Sequence, residues 1–237
     1  MTLPFNRLLL KISGEALMGS GAFGIQVPVM ERIAEEVADV AALGVKMCLV
    51  VGGGNIFRGL ATAAQGMDRV AGDYMGMLAT VMNALALESA LQSKGLAARV
   101  QSAISMPTIC ETYSRASALR HLAQDRVLIF AGGTGNPFFT TDTAAALRAA
   151  EMECDALLKG TSVDGVYSSD PKTDVGARRY ERLTYGEVLS QNLKIMDPAA
   201  ITLARDSRIP VIVFSIRTPG ALMGAVKGEG RFSLISA

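Results

Sequence analysis

Short unbroken runs of apolar residues alternate along this chain with longer stretches in which apolar positions recur every three or four residues. The first pattern predicts buried strands, and the second predicts helices lying on them. Arg7 to Ile12 is the first run, and it ends in Ser13-Gly14. Pro28 opens a helix at a first helical position, with Val29, Ile33, Val37 and Val40 at helical spacing and Gly44 as its stop. Val45 to Val51 predicts a second buried strand, running into Gly52-Gly53-Gly54. Residues 70 to 94 read as a long helix closed by Gly95. Ala98 to Ser102 and Val127 to Ala131 read as strands around a helix from Ser114 to Leu122.

A further glycine turn, Gly132 to Pro137, leads into a helix that starts between Thr140 and Thr143. Ala156 to Lys159 predicts a strand, and Thr161 to Pro171 a loop. Thr184 to Glu187 has the spacing of a capping box, and Asp197-Pro198 that of an N-cap before a first-turn proline. Val211 to Phe214 is the last strand of the pattern. Strands separated by helices imply βαβ units, hence an α/β fold: a three-layer αβα sandwich with a central, mainly parallel sheet. No linker or repeat divides residues 1–237, so a single domain is expected. A soft division near residue 155 separates a substrate-side N-terminal lobe (1–155) from a nucleotide-side C-terminal lobe (156–237).

Composition narrows the functional classes. Lys and Arg number 23 and Asp and Glu 22, a formal charge of +1 that supplies no field for gathering nucleic acid or an anionic membrane. An anionic substrate must then be caught by local groups. Cys48, Cys110 and Cys154 show no CxxC or ligand-like spacing, and they read as small buried hydrophobes of a reducing compartment. The single His121 has no metal-ligating company and reads as a surface or interface residue. The chain opens with no secretion signal, and no uncharged apolar stretch reaches the ~18 residues of a membrane span, so a cytoplasmic location is expected.

Three glycine turns, Ser13-Gly14, Gly52 to Gly54 and Gly132 to Gly135, each follow a predicted strand. In a parallel sheet they lie together at the carboxyl edge, where such folds bind ligands. Glycine lets backbone amides approach phosphate oxygens, and a following helix adds its N-terminal partial charge. Any one turn also answers a steric need; three on one edge point to phosphate binding. GxxxxGK[ST] is absent, and so is a well-placed GxGxxG with a downstream acid, so the site is of another design. Lys11 ends an apolar strand just before Ser13-Gly14, where it either reaches water or bridges phosphates. Lys159 repeats that placement before Gly160-Thr161. Asp142, at a helix start, either favours the helix dipole or orients a lysine or a magnesium-bound water. Arg58 and Asp73 suit a phosphate and a ribose hydroxyl respectively, and equally a solvated face.

The segments Leu9 to Leu17, Gly52 to Gly59, Asp73 to Thr80, Gly133 to Asp142, Val163 to Tyr167 and Lys194 to Asp197 resemble the amino-acid kinase superfamily and, within it, the bacterial-type UMP kinases. They follow the family's order over nearly the whole chain, and Thr134 to Asp142 is the most specific of them. The resemblance implies the amino-acid kinase fold and transfer of the γ-phosphoryl group of ATP, accompanied by Mg²⁺, to UMP. It implies that Lys11, Ile12, Ser13 and Gly14, with Gly54 and Arg58, meet the ATP phosphates, and Thr161, Tyr167 and Asp170 the base and ribose. It implies a UMP site of Gly53, Asp73, Thr134, Gly135, Asn136, Pro137, Phe138, Phe139, Thr140 and Thr141. Lys11, Asp142, Asp197 and Lys159 would surround the transferring group, with no side chain assigned to the metal.

Gly19, Ser20, Gly21, Ala22, Phe23 and Gly24 correspond to a segment involved in GTP activation of relatives that are hexamers inhibited by UTP. Because UMP already presents an anionic oxygen, the attack needs little or no general base, and a chain with one histidine suffices. Two other readings compete. A sister kinase acting on a carboxylate is disfavoured by Thr134 to Asp142, and a non-catalytic nucleotide sensor by the presence of both Lys11 and Asp142.

Overall fold

The computed structural model describes residues 5–57 and 66–237 and assembles the apolar runs into adjacent strands. In chain order these are β1 (Arg7–Ile12), β2 (Lys46–Val51), β3 (Ala98–Ser102), β4 (Glu111–Thr112), β5 (Val127–Ala131), β6 (Ala156–Thr161), β7 (Val166–Tyr167), β8 (Arg179–Tyr180), β9 (Arg182–Thr184), β10 (Val211–Ser215) and β11 (Phe232–Ser236). β7 and β8 pair antiparallel by themselves. The other nine form one sheet in the order β4-β3-β5-β2-β1-β6-β10-β11-β9, parallel throughout except between β10 and β11. The chain runs outward from β1 to one side and later returns to its other side with β6. β1 is thus the point where the strand order reverses, the usual ligand-binding position of an open α/β sheet.

The helices are α1 (Val27–Ala41), α2 (Arg69–Ser93), α3 (Arg115–Ala123), α4 (Thr141–Glu151), α5 (Tyr185–Ser190), α6 (Pro198–Asp206) and α7 (Ala221–Lys227), with a 3₁₀ turn at Gly14–Met18. Strand residues alternate between two cores, as a pleat requires. Leu8, Leu10 and Ile12 of β1 and Leu158 of β6 pack with Ile33 and Val37 of α1, Leu87 of α2 and Leu222 of α7. Leu9, Leu157 and Val213 face the other way, onto Ala145 and Ala149 of α4 and Ala200 and Ala204 of α6. Burial on both faces explains why the strands read as unbroken apolar runs.

The pattern misses the small elements. The 161–171 stretch expected to be loop contains β7, and β4, β8, β9 and β11 are short or peripheral strands whose sequences carry little periodicity. β6 continues through Gly160-Thr161, two residues past its expected end. His121 is not a plain surface residue: it is half-buried, with Nε2 2.8 Å from a Glu111 carboxylate oxygen and Nδ1 2.9 Å from Arg126. Arg69–Ser93 is long and apolar enough to cross a membrane by length and composition, yet here it lies against α1 and β3 as a core helix. Cys48 and Cys154 are buried and Cys110 is half-buried, all three as free thiols.

α2 is tied to the second glycine turn and to Gly24 by a buried amide pair. Asn83 Nδ2 donates to Gly52 O and to Asn55 Oδ1, both at 2.7 Å, and Asn55 Nδ2 donates to Asn83 Oδ1 and Gly24 O, both at 3.0 Å. Truncating one member strands the others away from water. Asn83→Ala should destabilise the fold by about 1–3 kcal/mol, read as a lower urea midpoint at unchanged m.

Candidate active site

The centre of the site follows from strand register. Lys11 of β1 and Lys159 of β6 are direct parallel partners, so both side chains leave the sheet on the α4–α6 side. Both are buried. Two ammonium groups side by side in that layer require a counter-charge, and Asp142, in the first turn of α4, supplies it. Its Oδ1 lies 2.9 Å from Lys11 Nζ, an ion-pair contact without hydrogen-bond alignment, and its Oδ2 accepts a 2.7 Å hydrogen bond from Lys159 Nζ. Lys159 also donates to Ile195 O. Burial works against ionising Asp142, but the two ammonium groups outweigh it and hold the carboxyl below the usual aspartate value. For Lys159 burial wins instead, and despite Asp142 its ammonium loses protons more readily than a free lysine. A strand-end lysine reaching water, one of the two readings of Lys11, is therefore overturned.

The glycine turns close around this centre. Ser13 N donates to Gly160 O, linking the ends of β1 and β6. A Cβ on Gly14 would stand 2.6 Å from Gly52 O and 2.7 Å from Gly54 N, so the first two turns touch backbone to backbone only because no side chain intervenes. A Cβ on Gly53 would stand 2.7 Å from Gly76 O, so the second turn rests directly on α2. Gly132 N donates to Thr80 Oγ1 at 2.9 Å, which seats the third turn on the same helix.

Three cavities line up across the carboxyl edge. The first, about 500 Å³, is walled by Gly53, Gly54, Asp73, Thr134, Thr140 and Thr141 among others. Thr140 also borders the second, about 640 Å³, which holds Asp142, Lys159 and Asp197. Asn192 to Ile195 then separate the second from a third of about 480 Å³, bordered by Tyr167, Asp170 and Lys172. Asp197 caps α6 by accepting from Ala200 N at 2.9 Å, and also accepts from Thr143 Oγ1 at 2.9 Å and Thr140 Oγ1 at 2.5 Å. It thus joins the starts of α4 and α6 and orients Thr140.

Within the first cavity Asp73 accepts from Arg69 Nε at 2.9 Å on both oxygens, and from the backbone N–H of Phe138 at 2.8 Å. Phe138 has φ +72°, a left-handed conformation that costs a bulky residue about 1–3 kcal/mol and persists only where its surroundings enforce it. Gly135 to Phe138 lie off the cavity wall, while Thr134 and Phe139 to Thr141 form part of it. Gly54, expected beside the ATP phosphates, borders this first cavity. Gly19 to Phe23 are exposed and Gly24 half-buried, the last held to Asn55. Thr161 ends β6 next to the third cavity's Ser162, and Ile12 is buried in β1. Arg58 lies outside the described residues.

The sequence reading missed Arg69, Gly76, Met77, Thr80 and Thr143. Arg69 precedes Asp73 by one helical turn, a spacing that signals an ion pair once residues 70–94 are read as helix. Thr143 carries no such local signal, because its partner is 54 positions away.

The amino acid kinase family model matches residues 6–215. A uridylate kinase of Azorhizobium caulinodans is 57% identical over 234 residues, covering 99% of this chain and 98% of that protein. One of Paramagnetospirillum magneticum is 58% identical over 232 residues, covering 98% and 97%. Among solved structures, the UMP kinase of Bacillus anthracis superposes with a TM-score of 0.94 at 40% identity, over 98% of this chain and 96% of that one. The UMP kinase of Ureaplasma parvum gives a TM-score of 0.93 at 37% identity over the full length of both.

The ion-pair centre carries its own pH signature. Asp142 has a lower pKa folded than unfolded, so its stabilisation is complete above the ordinary value of 3.8 and is lost as pH falls through the folded value. Asp142→Asn, which leaves two buried ammonium groups uncompensated, should cost about 3 kcal/mol near pH 7. In urea melts of both proteins that gap should narrow as pH falls below 3.8.

Proposed function

The chain belongs to the amino acid kinase family, and from that premise we propose that it transfers the γ-phosphoryl group of ATP to UMP, giving UDP and ADP in pyrimidine nucleotide biosynthesis. The observation that carries this reading is the Lys11–Asp142–Lys159 centre, whose Asp142 and Lys159 line the second cavity, the one that shares Thr140 with the first. We assign the first cavity to UMP and the other two to ATP. On that assignment residues 1–155 provide the acceptor side, and 156–237, together with Thr140 and Asp142, the nucleotide side.

The chemistry asks for positioning and charge screening more than for bond-making groups. An oxygen of the UMP phosphate attacks the γ-phosphorus in line while the β-bridging oxygen leaves with ADP. Lys11 and Lys159 present fixed positive charge to the equatorial oxygens, and Asp142 keeps both lysines aimed. The amides of the Gly14 and Gly53–Gly54 turns and of the α4 N-terminus add donors without side-chain bulk. Thr140, oriented by Asp197, stands between acceptor and donor. Mg²⁺ bound to the ATP phosphates screens the charge of the transferring group. Among the described residues no group of three or more His, Cys, Asp or Glu could cage the ion, so Mg²⁺ would be held mainly by phosphate and water, with Asp142 and Asp197 the carboxylates of that cavity.

We assign the Gly19–Gly24 segment to control by GTP, with UTP as an inhibitor at the nucleotide sites. Supporting this, Gly24 is bonded to Asn55, beside the glycine turn that borders the UMP cavity. Self-association, toward the hexamer expected of the family, is favoured by an exposed apolar stripe on α2: Tyr74, Leu78 and Met82, one helical turn apart and 43–56% exposed. Three free thiols suit a reducing, cytoplasmic setting.

The assay is ADP release with MgATP and UMP, CMP, dTMP, acetylglutamate or no acceptor, with and without GTP and UTP. Turnover confined to UMP is expected; turnover with acetylglutamate alone would move the reaction to a carboxylate. Lys11→Ala should lower kcat by ~100-fold or more with KM changed by only a few-fold, because the lost charge acts on the transition state. A Lys11→Ala enzyme with near-normal kcat would refute that role.

A further inference from the structure

We propose that Arg69 is a positioning residue of the acceptor site, acting through Asp73 on the segment that walls the UMP cavity. The inference deepens the UMP reading and rests on it for the identity of the ligand. Arg69 opens α2 at the border of the first cavity, and its Nε lies 2.9 Å from both carboxylate oxygens of Asp73, one turn on. A solvated pair at that spacing ordinarily does little. This one differs because Asp73 is only 15% exposed and its Oδ2 also takes the Phe138 amide at 2.8 Å. The Arg69 guanidinium lies 5.7 Å from the centroid of the Phe138 ring, a cation–π distance.

Arg69 thereby touches the 134–141 segment twice, once through the carboxylate and once through the ring. Phe138 sits at φ +72° with its side chain 66% exposed, so packing against a core does not hold that backbone. The hydrogen bond from its N–H to Asp73 and the guanidinium over the ring tie it to α2 instead. If Arg69 is removed, the Asp73 carboxylate is free to rotate, and the Phe138 amide loses its acceptor. The residue then relaxes toward negative φ. Phe139, Thr140 and Thr141 follow immediately in the chain and form part of the cavity wall, so the relaxation reshapes the pocket. The same rotation misaligns the lone pairs that Asp73 offers to a ribose hydroxyl. Arg69 contacts none of Lys11, Asp142 and Lys159, so binding of the acceptor should suffer far more than the chemical step.

The test is a cycle of full-length wild type, Arg69→Gln, Asp73→Asn and the double variant, with Arg69→Lys as the conservative change. UMP affinity by calorimetry should fall ~10–100-fold in Arg69→Gln, with kcat and the KM for ATP near wild type. The double variant should bind UMP no more than about threefold more weakly than Asp73→Asn alone, because the two residues act as one unit. Arg69→Lys, lacking the planar fork, should recover only part of the loss. Hydrogen exchange of the ligand-free protein gives a readout independent of the ligand: the Phe138 amide should be protected in wild type and lose protection in Arg69→Gln. Unchanged protection, UMP affinity within about twofold of wild type, or losses that multiply in the double variant would each overturn the proposal. Wild type that fails to bind UMP while the protection difference persists would instead sink the UMP reading and leave the positioning role standing.

Discussion

A single carboxylate makes this sheet edge possible. Register sets Lys11 beside Lys159, and the pleat turns both into the layer under α4 and α6, where neighbouring residues are Leu9, Leu157 and a row of alanines. Two buried ammonium groups in such surroundings would be expelled or deprotonated. Asp142 answers both at once, and it can do so because α4 begins there. Thr140 caps the helix, Asp142 falls in its first turn, and Ala145 and Ala149 fix the helix against the sheet. The same helix start that favours a negative charge thus delivers the carboxylate to the lysines. Charge balance, helix placement and the chemistry of a phosphoryl site share one origin.

The acceptor side obeys a different constraint, close approach. Gly14 and Gly53 bring the first two turns against one another and against α2 at distances that exclude a Cβ. Asn83 and Asn55 then satisfy the carbonyls left inside that contact. Backbone amides can face phosphate oxygens here because the polar groups behind them are already paired. The long helix is in this sense a scaffold for loops. Its first two turns carry Arg69 and Asp73, its middle seats the glycine turns through Gly76 and Thr80, and its far end is core.

Much of this was legible in the chain, and the remainder was hidden for identifiable reasons. The apolar runs located the central strands to within two residues, since burial on both faces leaves an unmistakable signature. A lysine inside such a run marked Lys11, and the glycines marked the turns. What pairs with Lys11 could not be read, because Asp142 is 131 positions away and only the tertiary fold joins them. Lys159 looked like a weaker copy of Lys11; that the two are register partners depends on which strands are neighbours, and local pattern does not carry that. β9 was missed because it is a three-residue edge strand, and β11 because its residues alternate between buried and half-buried and form no unbroken apolar run. Asp197 was legible as a helix cap, whereas its bonds to Thr140 and Thr143 depend on the packing of α4 against α6.

The layout also explains why the site needs no carrier group. Thr140 borders both the acceptor cavity and the one that holds Asp142 and Lys159, so the partition between the two is a single residue thick. On the proposed assignment the acceptor and donor phosphates come to opposite sides of that residue, and their mutual repulsion is the main obstacle. The fixed cations belong where they are found, at the junction rather than at either end. The hydroxyl of Thr140 is committed to Asp197, and Asp142 to the two lysines. Among the described residues no side chain at the junction is then left to remove a proton, which is the expected economy for an acceptor that arrives already ionised.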